Sequence, residues 1–247
     1  MNKRIKTSIQ MIADYDNEYS KFFDVAVEGS MPVLATRSLV LFPGIISPIL
    51  IGRKQSLSLL KYVNKLEDPI FTVFCQKDNN VEKPEEKDLY RYGVYARLMK
   101  VIDMPGPGNN VTAIVQAMGR CELRKITRLT PYIVGDVAPA REDKPEADDE
   151  EFKTASEDLK TSAFNYIRDN EDLPDEAKLA LENIHNDVIA LNFVCTNLPF
   201  NVADKIELLT MNSLKDRLIG TLKVLHKEQQ LLELKKNIRS KTREDLD

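Results

Sequence analysis

Apolar positions recur with two different periods along this chain, and the change falls near residue 145. Before it, short runs rich in β-branched and large apolar residues predict strands at Met31–Ala35, Ser47–Ile51 and Ile70–Cys75. Between the first two lies Phe42-Pro43-Gly44. Pro43 pre-sets φ and Gly44 accepts the positive φ of a type II turn. Leu57, Leu60 and Val63, spaced by three, predict a helix over Gln55–Leu66, capped near Ser56 and stopped by Asp68-Pro69. The strand–helix–strand order predicts a crossover. Gly93–Asp103 alternates without a purely polar face, as in a strand closed into a barrel. Met104–Asn110 reads as a hairpin loop, and Val111–Met118 as the returning strand. Gly119-Arg120 predicts a bulge or bend, followed by strands at Cys121–Leu129 and Tyr132–Ala140.

Residues 140–151 are charged, carry one proline and hold no large apolar side chain, which marks a boundary. The period then becomes helical. Phe152, Ala155, Leu159, Ala163 and Ile167 form one stripe, and Asp172-Leu173-Pro174 ends it. Ala177, Leu181, Ile184, Val188, Leu191 and Cys195 predict one continuous second helix. Val202, Ile206 and Leu209 predict a short third. Ser213-Leu214-Lys215-Asp216 has the form of a capping box with Asp for Glu. No proline follows until the end, so a rod of roughly 40 Å is expected, its second half projecting beyond the bundle. The expected organisation is a tail at 1–29, a β-rich domain at 30–142, and a helical bundle at 143–247 ending in a long helix. Residues 1–29 read as a flexible tail, in which Phe22, Phe23, Val25 and Val27 are the residues able to form a short ordered piece.

The ordered series Pro32-Val33-Leu34, Arg37-Ser38, Leu41-Phe42-Pro43-Gly44, Pro48–Arg53, Gln76-Lys77-Asp78, Asp88–Arg97 and Gly119–Leu123 resembles the amino-terminal region of Lon, the ATP-dependent protease family. The resemblance continues through the helical half and covers about Met31 to Arg243. It implies an α+β fold: a β-rich PUA-like pseudobarrel, then an α-helical bundle with a long C-terminal helix. It also implies the non-catalytic substrate-recognition and assembly region of an ATP-dependent serine protease. Implied partners are unfolded or tagged protein substrates and the other subunits of a homo-hexamer. ATP and Mg are expected only in a downstream ATPase domain, so no cofactor is expected here. The alternatives are a stand-alone adaptor with the same domain and an RNA-binding PUA-like module.

Composition narrows these choices. The 247 residues carry a net charge of −4 with a pI near 5.5, which speaks against nucleic acid and anionic membranes. Cys75, Cys121 and Cys195 lie far apart, as expected in a reducing compartment. No signal peptide or spanning segment is read, so the expected location is the cytoplasm, with no membrane partner. Neither GxxxxGK[ST] nor GxSxG occurs, and no catalytic or metal-binding residue is assigned. His185 and His226 sit on separate helices and read as surface histidines. Arg37 and Arg120 read as structural, and Asp148–Glu151 as a solvated linker. The candidate substrate contacts are Leu41, Phe42, Ile45 and Ile46, crowded around a surface turn. The competing reading packs them under the Gln55–Leu66 helix.

Overall fold

The computed structural model describes residues 25, 27–104 and 110–244, and it holds six strands and six α-helices in that span. The tail expected at 1–29 therefore lies almost wholly outside the described residues, as does the centre of the Met104–Asn110 loop. The strands are β1 Gly29–Thr36, β2 Ile46–Ile51, β3 Ile70–Cys75, β4 Tyr92–Asp103, β5 Val111–Arg128 and β6 Val134–Pro139. The helix between β2 and β3 is α1 Lys54–Val63. The rest follow β6: α2 Glu150–Asp169, α3 Glu176–Glu182, α4 Asp187–Asn197, α5 Val202–Thr210 and α6 Leu214–Glu244.

The sheet runs β2-β5-β4-β3-β1-β6, and β6 pairs again with β5. Five strands thus close on themselves, with β2 left outside as an edge. Closure depends on β5, whose 18 residues pair with β4 along one edge and with two further strands along the other. Val111–Gln116 pairs with β2, and Cys121–Arg128 pairs with β6. The β1–β3 pair is parallel, so the crossover runs from β1 through β2 and α1 to β3. Sequence had placed it between β2 and β3. Nor do Gly119-Arg120 end a strand. The irregularity sits one residue earlier, where Met118 and Gly119 together face Tyr95, and the ladder resumes at Val94–Arg120. α1 begins without a side-chain cap at Arg53, so Ser56 does not serve as one.

Gly44 takes φ +85°, the value its turn requires. Gly93 is fixed by crowding instead. A Cβ there would lie 2.2 Å from the Val73 carbonyl oxygen and 2.6 Å from the Phe74 ring, so only glycine lets β3 and β4 meet.

The continuous helix expected over 177–195 is two helices. Asn186 accepts hydrogen bonds from Val188 N and Ile189 N and starts α4, after α3 has ended at Glu182. The apolar spacing survives the break, which is why periodicity alone could not reveal it. Every residue from Ile189 to Thr196 is buried. Such a helix has no solvent face and needs partners on all sides. Ser213 Oγ accepts from Asp216 N at 3.1 Å, so the expected cap opens α6. Its 31 residues span roughly 46 Å. Leu218, Leu222 and Leu225 are buried, and Leu232 still packs on the core. Lys235, Lys236 and Arg239 border a groove against the end of α2. The expected projecting half is therefore corrected: the helix clears the bundle only toward its end, although Leu234 and Ile238 are exposed.

The charged stretch after β6 is laid against the helical half. Asp143 N donates to Asn212 O at 2.8 Å, and Leu214 N donates to Asp143 O at 3.0 Å. One buried apolar cluster runs from the sheet and α1 into α2–α6. A smaller one, including Val33, Phe74, Tyr95, Met118 and Val137, draws on all five closed strands.

Candidate functional site

The turn that carried the candidate contacts is interior. Leu41, Phe42 and Ile45 are buried, and Phe42 exposes none of its surface. All three belong to the large cluster shared with the helices. Asn192 of α4 donates its side-chain N–H to the Pro43 carbonyl at 3.0 Å, and Asn192 is itself fully buried. The expectation of an exposed patch at Leu41, Phe42 and Ile45 is therefore corrected: the Pro43 turn is the seam between sheet and bundle. Ile46 alone remains half-buried.

Ile46 leads to the apolar surface that does face outward. Register places Leu50 of β2, Thr112 of β5 and Ile102 of β4 in one cross-strand row. Pro48, Ile114 and Lys100 form the next row. Residues directly opposite one another share a face. Leu50 is 67% exposed and Ile102 41%, while Pro48 and Ile114 are half-buried. Met99, which occupies the extra position in β4, and Met104 are also exposed. The opposite face, with Ser47, Ile49, Ile51, Ala113 and Val115, is buried. An outward face of an antiparallel sheet is ordinarily polar. This one carries Leu50, Ile102, Pro48, Ile114 and Met99 beside Thr112 and Lys100, more apolar side chains than such a face ordinarily shows.

Beside it runs a groove of about 410 Å³ along the edge of β2, lined in part by Thr36, Leu39, Leu50, Gly52, Arg53 and Asn110. β2 pairs only with β5 among the described strands, and Pro48 removes one edge N–H. Arg53 fixes the rim, donating to Gln76 Oε1 at 2.5 Å and to the Ala35 carbonyl. Burial lowers its pKa, helped by Arg37 and opposed by Glu82. The signal for this face was in the sequence as an inverted alternation. Polar Ser47 points inward while Leu50 points outward, so strand chemistry alone assigns the faces backwards.

The other singled-out residues have structural places. Arg37 pairs with Glu82 at 2.8 Å. Asp149 caps α2 through Phe152 N at 2.9 Å and, with Glu151, meets Lys215. The Phe152 N–H and Lys215 hold the Asp149 carboxyl below its ordinary range. His185 and His226 are exposed. Among the described residues no three His, Cys, Asp or Glu side chains group as metal ligands. The three cysteines are buried, and burial pushes all three thiols up, Cys195 to about 11.

Among the described residues Lys205 is the one lysine driven down, to about 8, by burial on α5, where its Nζ donates to Thr196 O at 2.7 Å. Its folded pKa lies below its unfolded value of 10.5, so the unfolded chain binds more protons between those limits. The Lys205 contribution to stability therefore rises as pH rises from about 8 to 10.5, while Cys195 acts oppositely between about 9 and 11. A Lys205→Met variant removes the lysine together with its charge coupling to the Cys195 thiol. Urea denaturation should show wild type gaining on the variant by on the order of 1–3 kcal/mol across that window. Parallel stability curves would remove the desolvated lysine from the account.

The comparisons agree on one family. Residues 30–227 match the model of the ATP-dependent protease La (LON) substrate-binding domain. A Lon protease of Flavobacterium johnsoniae is 36% identical over 218 residues, covering 88% of this chain and 26% of the relative. One from Porphyromonas gingivalis is 36% identical over 238 residues, covering 94% and 27%. The chain thus spans about a quarter of the length of the curated relatives it matches. The N-terminal domain of a Mycobacterium avium complex Lon protease superposes with a TM-score of 0.61 at 16% identity, over 80% of this chain and 98% of that one. A Lon N-terminal domain protein from Xanthomonas campestris gives 0.53 at 17%, over 78% and 97%. At these identities the solved structures establish the fold: an α+β arrangement with a strand-rich first part and a helical second part.

Proposed function

Because the chain belongs to the family of the ATP-dependent protease La (LON) substrate-binding domain, we propose that its outward apolar face on β2, β5 and β4 reads unfolded polypeptide. The observation that carries this is the row Leu50–Thr112–Ile102, apolar where an exposed sheet face would be polar. A folded protein hides its large apolar side chains, whereas a damaged one presents them, so apolar area is the physical difference available to a reader. The edge of β2 and its groove offer an extended segment main-chain contacts alongside that face.

In this reading the chain binds and delivers, and carries no catalysis itself. Proteolysis, with its ATP and Mg, would belong to a further part of a longer protein of the kind it matches. The bundle and the exposed side of α6 at Leu234 and Ile238 would support assembly of a homo-hexamer, and the protein would act in the cytoplasm. The net charge of −4 supports polypeptide over nucleic acid as the partner.

A Leu50→Ser, Ile102→Ser double variant tests it. Both side chains are exposed, so thermal stability should stay within about 2 °C of wild type. Binding of a chemically unfolded neutral model protein, followed by fluorescence anisotropy, should weaken roughly ten- to a hundredfold. Unchanged binding by a folded double variant would retire this face as the reader.

A further inference from the structure

A second groove, of about 930 Å³, lies toward the other end of β5 from the Leu50–Ile102 face. Its floor is apolar, with Leu89 and Leu123 buried and Ile126 partly so. Its rim carries Lys77, Lys87, Arg91, Arg124 and Arg128 against Glu85 and Glu86, five cations to two anions. One wall is an open strand edge. The β4–β5 ladder begins at Tyr92–Glu122, and Leu123 N donates to Arg91 O at 2.8 Å. From there to Arg128, β5 has a partner strand only in β6. The Ile126 N–H on the open side donates to Glu86 Oε2 at 2.8 Å. A carboxylate of the chain itself thus stands where the acceptor of an added strand would sit.

From this we infer that the groove takes an extended acidic segment of a protein substrate, added as a strand beside residues 124–128 of β5. The inference rests on the substrate-binding reading above and adds a second, charge-selective contact to its apolar one. A main-chain carbonyl of the segment replaces Glu86 on Ile126 N–H, and its carboxylates face the rim cations. All five cations have a partner now: Arg124 has Glu28 at 2.6 Å, Arg91 has Glu122, Lys87 has Glu85 at 3.7 Å, Lys77 has the Lys87 carbonyl at 2.8 Å, and Arg128 lies over the Tyr132 ring at 4.9 Å. All five side chains are exposed, and exposed pairs exchange partners at little cost. The register irregularities of β5 against β6 at residues 124 and 127 bend this edge away from regular pairing with the rest of the sheet. Among the described residues lining the groove there is no aromatic ring on which a base could stack, and the open edge offers the main-chain N–H of Ile126, which suits an added strand. A polypeptide is therefore favoured over a nucleic acid.

The test uses the full 247-residue protein and a fluorescein-labelled peptide of about ten alternating Glu and Val residues, read by anisotropy at low salt. It should bind at least about tenfold tighter than the Lys–Val counterpart, and weaken as salt is added. Arg124→Glu with Arg128→Glu should weaken it at least about tenfold while leaving the melting temperature in place. Glu86→Ala frees the edge N–H and removes an anion, so it should tighten binding about threefold or more, a gain that misfolding cannot mimic. An unfolded neutral model protein is the parallel arm. If it binds and the acidic peptide does not, the groove is overturned and the apolar reader stands. If neither binds, both fall. Tighter binding of an oligothymidylate than of the Glu–Val peptide overturns the proposal in favour of nucleic acid. Peptide binding that emerges only after residues 1–24 are removed overturns it in favour of an occupant from the same chain.

Discussion

Glu142→Ala should cost roughly 3–5 kcal/mol of folding stability, one of the largest losses expected from any single substitution in this chain. Glu142 Oε2 accepts from Arg120 Nε at 2.8 Å and from Arg217 Nη2 at 2.9 Å, and both guanidiniums are fully buried. Arg120 comes from β5 and Arg217 from α6, so one carboxylate joins the barrel to the long helix. The arginines have a second task at the end of α5. Arg120 Nη1 donates to Leu209 O at 2.7 Å, and Arg217 donates to Leu208 O at 3.2 Å and Met211 O at 2.9 Å. Those carbonyls lie at a helix C-terminus, where acceptors are left over and the dipole favours cations. Burial lowers the Arg120 pKa, and the nearby Arg217 charge adds to the effect, with Glu142 opposing both. Without Glu142, two like charges would stay buried against carbonyl dipoles alone. At this chain length the melting temperature should fall by on the order of 10 °C. A drop under about 2 °C would mean that the helix end alone satisfies both arginines.

Much of the fold was legible because local rules and tertiary packing agree over it. Pro43-Gly44 predicts a turn and Gly44 takes the φ that turn needs. Ser213 predicts a cap and accepts the Asp216 N–H. The length of α6 could be read from an unbroken pattern, but not that α2 accompanies it as far as Arg239. What was not legible depends mainly on pairs distant in sequence. Nothing local tells β5 to run through Gly119 and pair with β2, β4 and β6. The local sign that separates α3 from α4 is the cap residue Asn186, and it is masked because the break keeps the apolar spacing intact. The apolar face at Leu50 and Ile102 emerges only when the register of three strands is known. The groove beside residues 124–128 likewise requires knowing where β4 stops.

The Pro43 turn is the clearest case, and it yields the other large effect. Surface turns are the general rule, and a dense apolar turn therefore reads as an exposed patch. The missing partner is α4, buried from Ile189 to Thr196 and 149 residues away along the chain at the Asn192–Pro43 hydrogen bond. Only one half of that contact was read from the sequence, the apolar turn; the all-round burial of α4 was hidden within the single stripe read over 177–195. If the turn is the seam, Phe42→Ala should behave as a core truncation and cost about 3–5 kcal/mol, through lost transfer energy plus the cavity left between sheet and bundle. The denaturant midpoint should shift with an unchanged m-value, because the surface exposed on unfolding is the same. Binding of an unfolded model protein, expressed per folded molecule, should stay as in wild type. Leu50→Ala should show the reverse, with stability within about 0.5 kcal/mol and weaker binding. A Phe42→Ala protein that melts with wild type yet binds poorly would return the ring to the surface and move the reader of unfolded chains back to the turn.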